Sequence, residues 1–127
     1  MKLIAKYLSI ETEQDFWLGG FTNDQFEPTE YFMLQRAFEF DEQDIELGMN
    51  IYHFEISDQG CSSYGGIERF ELRRDVAHIK FESQTAIKIN IETSLEIHFK
   101  LEQHKWDELK IFLENIFMNT HVFEVKV

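Results

Sequence analysis

The segment IERFELRRDVAHIKFE, residues 67–82, decides the fold class because it contains two alternating runs around one turn. Apolar side chains take alternate positions on both sides of the polar pair Arg74 and Asp75. The inward-facing set is Phe70, Leu72, Ala77, Ile79 and Phe81. A repeat of two residues is typical of a strand with one buried face. We therefore predict an antiparallel hairpin of residues 67–73 and 76–82.

The same alternation continues on both sides of this hairpin. Residues 95–101 and 87–91 both alternate, and a short polar connection at residues 92–94 separates them, so we predict a second hairpin there. Residues 52–56 also read as a strand. The alternating apolar residues are Tyr52, Phe54, Ile56, Ile87, Ile89, Ile91, Leu95, Ile97, Phe99 and Leu101.

The first forty residues contain a further predicted hairpin and one segment that fits two kinds of element. Residues 2–11 and 15–21 are apolar and aromatic-rich runs divided by a short acidic connection, which predicts the first hairpin. Residues 31–40 fit either a strand or a helix, because their apolar positions satisfy both periods. We favour a strand.

One helix stands out near the C-terminus. Apolar residues recur at steps of three and four over residues 103–118, although the segment lacks a good N-cap residue. Phe123, Val125 and Val127 then predict a short closing strand. The sequence thus predicts a single α+β domain over residues 1–127, with mostly antiparallel β-sheet, one C-terminal helix packed on a face and a short closing strand.

The bulk composition fits this picture. A chain of 127 residues with 43% hydrophobic residues and thirteen Phe can bury one core. It has no apolar run of roughly 18 residues, and residues 1–10 lack the cleavage site of a signal peptide. The single cysteine suits a reducing compartment. We expect a cytoplasmic protein without a membrane partner.

The charge is distributed very unevenly. From Tyr7 to Glu68 the chain has fourteen carboxylates against one basic residue, Arg36, which gives this stretch a net charge of −13. The remaining residues hold eleven basic and ten acidic groups, so they are nearly neutral. An acidic stretch repels phosphates, which excludes nucleic acid as the expected partner. A basic partner is the expectation instead.

The densest part of this stretch resembles a calcium loop at first sight. Counted from Asp41, however, the third, fifth and sixth positions are Gln43, Ile45 and Glu46, so the loop pattern fails and we predict no metal site. Two interpretations remain open, a solvated acidic loop and an edge that binds a partner. The candidate partner-binding residues are Glu39, Asp41, Glu42, Asp44, Glu46, Asp58 and Tyr64.

Tyr64 enters that set because a large aromatic side chain on a loop with two glycines can anchor an interface. It could equally fold back onto the core. Cys61 lies in the same loop, and His53 could approach it across a sheet to form a catalytic pair. The acidic neighbours Asp58 and Glu68 oppose thiol activation, so an unreactive thiol is favoured. Phosphate-binding and zinc motifs are absent, and we predict no catalytic residue or cofactor.

Several segments resemble the Immunity protein 10 family of bacterial polymorphic-toxin systems. They are LQRAF (residues 34–38), FDEQDIELGM (40–49), YH (52–53), SDQ (57–59) and YGGIE (64–68). The resemblance is clearest over residues 31–72, and the later strand and helix agree only in pattern. It implies a cytoplasmic protein that is encoded beside a toxin, binds that toxin and protects the producing cell. It implies no catalytic residue and does not identify the toxin.

The leading hypothesis is therefore a non-enzymatic immunity protein whose acidic surface occludes the active site of a basic toxin, a nuclease being one candidate. Two alternatives come from other classes. One is a small cysteine-dependent enzyme that uses Cys61 and His53, and the other is a structural or regulatory module that dimerises.

Overall fold

Thirteen elements build two five-stranded β-sheets and three helices in a computed structural model that describes residues 1–56 and 61–127. The strands are β1 (Lys2–Ile4), β2 (Tyr7–Thr12), β3 (Phe16–Thr22), β4 (Tyr31–Ala37), β5 (His53–Ile56), β6 (Cys61–Tyr64), β7 (Ile67–Leu72), β8 (Val76–Phe81), β9 (Ser94–His98) and β10 (Phe123–Val125). The helices are α1 (Glu42–Glu46), α2 (Ser83–Ile89) and α3 (Gln103–Ile116). The predicted α+β class is confirmed, although with two sheets and three helices.

The first sheet, called sheet A, has the order β1-β9-β8-β7-β10. Its centre is the predicted hairpin of β7 and β8, and all five residues predicted to face inward there are buried. Its two outer strands pair in parallel, β1 with β9 and β10 with β7. Sheet A therefore collects both ends of the described chain, and the closing strand is confirmed at Phe123–Val125.

The second sheet, called sheet B, is a continuous antiparallel meander with the order β2-β3-β4-β5-β6. It runs from Tyr7 to Tyr64, so the acidic stretch of the sequence is almost entirely one sheet and its connections. The prediction that residues 31–40 form a strand is confirmed for residues 31–37, which form β4, whereas residues 38–40 lie beyond the strand. The division of charge along the chain thus becomes a division between the two sheets.

The inner faces of the sheets meet in an aromatic core. Phe54 of sheet B lies 5.2 Å from Phe81 of sheet A, measured between ring centroids, and Phe21 lies 5.4 Å from Phe99. Large aromatic rings bury much apolar area with few rotatable bonds, which suits a core built from many Phe residues. The predicted C-terminal helix α3 packs on the inner face of sheet B, where the Phe112 ring approaches Gly19.

Helix α3 also contacts sheet A. The indole nitrogen of Trp106 donates a hydrogen bond of 3.0 Å to the carbonyl oxygen of Arg73 at the β7–β8 turn. At the other end, Phe117 packs 5.3 Å from Phe70. The predicted lack of an N-cap is confirmed, because Glu102 makes no side-chain capping bond. The helix is held by its buried face, as is usual for helices in proteins.

Two predictions about strands need correction. Residues 87–91 are not a strand, because Ser83–Ile89 forms α2 and Ile87 is 80% exposed. Ala86 and Ile89 are three residues apart and share the inward side of this helix. The short apolar run therefore fitted the spacing of a helix as well as the two-residue repeat of a strand. The turn predicted at residues 92–94 accordingly leads from a helix into β9, whose Leu95 and Ile97 are buried as expected.

The N-terminal hairpin is confirmed only for β2 and β3. Residues 2–4 belong to sheet A instead, and the chain crosses between sheets at Ala5 and Lys6, whose amides bond to the carbonyl oxygens of His98 and Thr22 respectively. A run of apolar residues cannot show this crossing, because both sheets bury the same kinds of side chain.

Candidate partner-binding surface

The acidic segment after β4 forms the short helix α1 rather than a loop. Asp41 is its N-cap, and its carboxylate accepts a 2.7 Å hydrogen bond from the backbone amide of Asp44. The Asp44 carboxylate accepts a 3.1 Å bond from the amide of Asp41 in return. This is a capping box, which satisfies two backbone donors at the start of a helix. Two of the candidate carboxylates therefore stabilise local structure.

Helix α1 buries none of its own residues. Glu39, Glu42 and Glu46 are exposed around it. Two apolar side chains are also exposed, Ile45 at 57% and Leu47 at 62%. We call residues 39–47 the α1 patch. Its mixture of carboxylates and exposed aliphatic side chains offers a partner both charge and apolar contact area.

The only basic residue of the acidic stretch is withdrawn from this surface. Arg36 is 8% exposed, and its Nη1 donates to the carbonyl oxygens of Ile116 at 2.9 Å and Met118 at 2.7 Å. These carbonyls end α3, where a cation is favourable. The guanidinium also lies 5.5 Å from the centroid of the Phe40 ring, and burial lowers the pKa of Arg36.

Two shallow depressions flank Phe40 and bring several candidate residues together. Asp44 and Tyr64 line one of them, together with His53. Glu39 and Asp41 line the other, which Asp44 also borders. Glu42 and Glu46 lie on α1 between these groups, as its first and last residues. Asp58 lies outside the described residues.

Tyr64 does not fold back onto the core. Its side chain is 45% exposed, and its ring lies 4.7 Å from that of His53 on the neighbouring strand. Burial lowers the pKa of His53, and this shift is partly opposed by the nearby carboxylate of Glu55. Tyr64 and His53 thus form an aromatic pair on the outer face of sheet B.

The suggested pair of Cys61 and His53 is not formed. Cys61 pairs with Ile56 in the β5–β6 register, whereas His53 pairs with Tyr64. Side chains alternate between faces, so Cys61 points inward with Ile56 and His53 points outward. Cys61 is buried, and its Sγ donates to the carbonyl oxygen of Ile89 at 3.0 Å. The strand register therefore places the two residues of the cysteine-enzyme alternative on opposite faces of sheet B.

The ion pairs of the described residues lie outside sheet B. This separates the charges of the two sheets more sharply than the sequence predicts. Over residues 1–56 and 61–127, each pair within 4.0 Å joins groups from Met1 or from residues 68–126. On sheet A, for instance, Glu71 lies 2.5 Å from Arg73 and 3.8 Å from Lys126. The described carboxylates between Glu11 and Glu55 have no cationic group within 4.0 Å, and Asp24 is stabilised from further away, by Lys6.

The described part of the chain contains no group of three or more His, Cys, Asp or Glu side chains arranged to hold a metal ion. Among the same residues, no helix is both long and apolar enough to cross a bilayer.

The fold and the surface define a small α+β domain with exposed, unpaired carboxylates beside an exposed aromatic pair. The chain belongs to the Immunity protein 10 family, whose family model matches residues 4–107. The match extends well beyond residues 31–72, over which the sequence resemblance was clearest. No curated protein sequence matches the chain. Family membership implies an immunity protein that acts against a toxin, and such families are generally non-enzymatic inhibitors.

Proposed function

We propose that this protein binds a basic cognate toxin in the cytoplasm of the producing cell and neutralises it by covering its active site. The observation that carries the proposal is that no described carboxylate from Glu11 to Glu55 has a cation within 4.0 Å, whereas carboxylates of sheet A such as Glu71 and Glu124 do. Crowded carboxylates destabilise a fold through their mutual repulsion. A basic partner would relieve that repulsion on binding.

The proposed contact residues are the carboxylates of the α1 patch, namely Glu39, Asp41, Glu42, Asp44 and Glu46, together with Asp58 and Tyr64. Their roles differ. The side chains of Glu42 and Glu46 take no part in the capping box of α1, so their charge can be removed without removing the cap. Tyr64 supplies an amphipathic aromatic side chain of the type that dominates binding energy at interfaces.

Occlusion of a basic groove explains why the acidic charge is useful. A nuclease is the candidate toxin that fits best, because nucleases need clustered Lys and Arg to hold phosphates. Complementary charge can raise an association rate from about 10⁵–10⁶ to 10⁸–10⁹ M⁻¹s⁻¹ at low salt. Fast capture matters when the toxin is lethal to the cell that makes it.

Co-expression with the toxin encoded beside this gene tests the proposal. We expect growth to be restored by the wild-type protein and by Arg73→Gln, which alters an exposed cation of sheet A. The charge-neutral variant Glu42→Gln with Glu46→Gln should protect less at equal protein level. Failure of the wild-type protein to restore growth would refute toxin neutralisation.

A further inference from the structure

The side chains on the outer face of sheet B form cross-strand rows that lie outside the α1 patch. One cross-strand row joins Glu11, Leu18, Gln35, His53 and Tyr64, each residue paired with the next across β2 to β6. Residues directly opposite each other in an antiparallel pair share a face. Tyr64 is therefore the end of a continuous row that reaches the far edge of the sheet.

The next row has an apolar centre. Gly20 pairs with Met33, and Met33 pairs with Glu55. A Cβ added to Gly20 would clash with the carbonyl oxygen of Phe32 and with the Met33 Sδ, so the Met33 thioether occupies the space beside Gly20. Met33 and Leu18 are both only half-buried. A thioether is a soft side chain that adapts to a partner's surface.

Carboxylates border this apolar centre on both sides. Glu11 lies on the β2 side and is exposed, whereas Glu55 lies on the β5 side and accepts a hydrogen bond from the Tyr31 hydroxyl. Neither carboxylate has a cation within 4.0 Å among the described residues. An apolar centre with a polar rim is the usual anatomy of a protein interface.

Neither α2 nor α3 covers this face in the part of the chain that the structure describes. Helix α3 packs on the inner face, where Phe112 meets Gly19, and α2 lies against the edge strand β6, where the Ile89 carbonyl accepts from Cys61. The outer face of sheet A differs in kind, because its charged side chains pair with one another, as Lys80 does with Glu68 and Arg69 does with Glu124. Among residues 1–56 and 61–127, the combination of a half-buried apolar centre with carboxylates that have no cation within 4.0 Å is found on sheet B.

We infer that the outer face of sheet B, centred on Leu18 and Met33, is the surface on which the basic toxin docks. This inference rests on the proposed function and names the face that performs it. A second copy of this chain is disfavoured as the occupant, because two such faces would bring uncompensated carboxylates together. A basic protein offers the complementary charge.

The size of the face explains why the α1 patch also matters. Five strands about 4.8 Å apart and about 20 Å long outline roughly 400 Å². A standard interface needs about 800 Å² from each partner. The toxin therefore covers both the outer face and the adjoining α1 patch, which meet at the depression lined by Asp44, His53 and Tyr64.

Binding measurements with a catalytically inactive form of the neighbouring toxin test the inference. Leu18→Ala and Met33→Ala should each raise the Kd about tenfold or more, as expected for residues at the centre of an interface. The matched control Val76→Ala lies on the outer face of sheet A and should change the Kd less than about twofold. Thermal unfolding of each variant would confirm that it folds.

A measurement on the unaltered protein keeps the test independent of folding defects. Met33 should be oxidised by peroxide more slowly in the complex than in the isolated protein, while Met118, 42% exposed beyond α3, should be oxidised equally in both. Wild-type affinity in a Leu18→Ala, Met33→Ala double variant, or unchanged Met33 oxidation, would overturn the docking face and leave neutralisation intact. Absence of any wild-type binding would overturn both.

Discussion

At the scale of single residues, two polar side chains in the interior join parts of the molecule that are distant in sequence. Tyr52 is 1% exposed, and its hydroxyl accepts a 2.9 Å hydrogen bond from the amide of Ile67 at the start of β7. Arg36 ties sheet B to the end of α3. Buried polar groups are costly unless they are bonded, so both residues are sensitive positions.

Tyr52 should give the protein a pH-dependent stability at high pH. Burial raises the pKa of Tyr52 to about 12, whereas the unfolded chain releases this proton near pH 10. Its contribution is therefore complete below pH 10 and is lost as the pH rises through 12, by about 3 kcal/mol in total. Denaturant unfolding of the wild-type protein and Tyr52→Phe from pH 9 to 12 measures it.

Tyr52→Phe should be less stable than the wild-type protein by about 1–2 kcal/mol below pH 10, because the Ile67 amide loses its acceptor. That difference should shrink as the pH rises from 10 to 12. A difference that stays constant over this range would contradict the assignment, since other titrating groups affect both proteins alike.

Arg36→Met should lower the free energy of unfolding by about 2–3 kcal/mol, because two carbonyl oxygens at the end of α3 lose a charged donor. Arg73→Met is the matched control, since its side chain is 48% exposed and its ion pairs should contribute less than about 1 kcal/mol. Urea unfolding of both variants compares them. Equal losses would show that the bonds made by Arg36 add little.

At the scale of elements, α1 combines a structural and an electrostatic role in the same carboxylates. Its capping box uses Asp41 and Asp44, while Glu42 and Glu46 project from the helix without holding it. The two roles can be separated, because asparagine caps a helix about as well as aspartate but has no charge.

Asp41→Asn should leave α1 intact, whereas Asp41→Ala should destabilise it locally by about 0.5–2 kcal/mol. Amide hydrogen exchange at Ile45 and Leu47, whose amides donate to the carbonyl oxygens of Asp41 and Gln43, measures this stability. We expect faster exchange only in Asp41→Ala. Faster exchange in both variants would mean that the charge of Asp41, rather than its cap, stabilises the helix.

At the scale of the whole molecule, the net charge of −12 is carried by sheet B and its connections, while sheet A is internally compensated. This asymmetry should govern association with the toxin. The association rate should fall steeply between low salt and about 0.5 M salt, since exposed charges are screened beyond a few ångström there.

The Glu42→Gln, Glu46→Gln variant should show a lower association rate at low salt and a weaker salt dependence, with a nearly unchanged dissociation rate. Stopped-flow mixing with the inactive toxin measures both rates. Arg73→Gln provides the control of altered charge on sheet A. A wild-type rate that does not change with salt would refute electrostatic steering without refuting neutralisation.

The sequence by itself determined the α+β class, the β7–β8 hairpin and α3, because alternation and helical spacing record which side of each element is buried. It also determined the excess of acidic charge and the family. Three features were decided by the tertiary structure alone. Residues 2–4 join sheet A rather than sheet B, and Ile87 and Ile89 belong to α2, with Ile91 just beyond it. Cys61 faces away from His53. Local patterns cannot specify these features, because pairing and register depend on contacts between residues far apart in the chain. The same dependence gathers the acidic residues of the sequence on one sheet and leaves Leu18 and Met33 at the centre of its uncovered face.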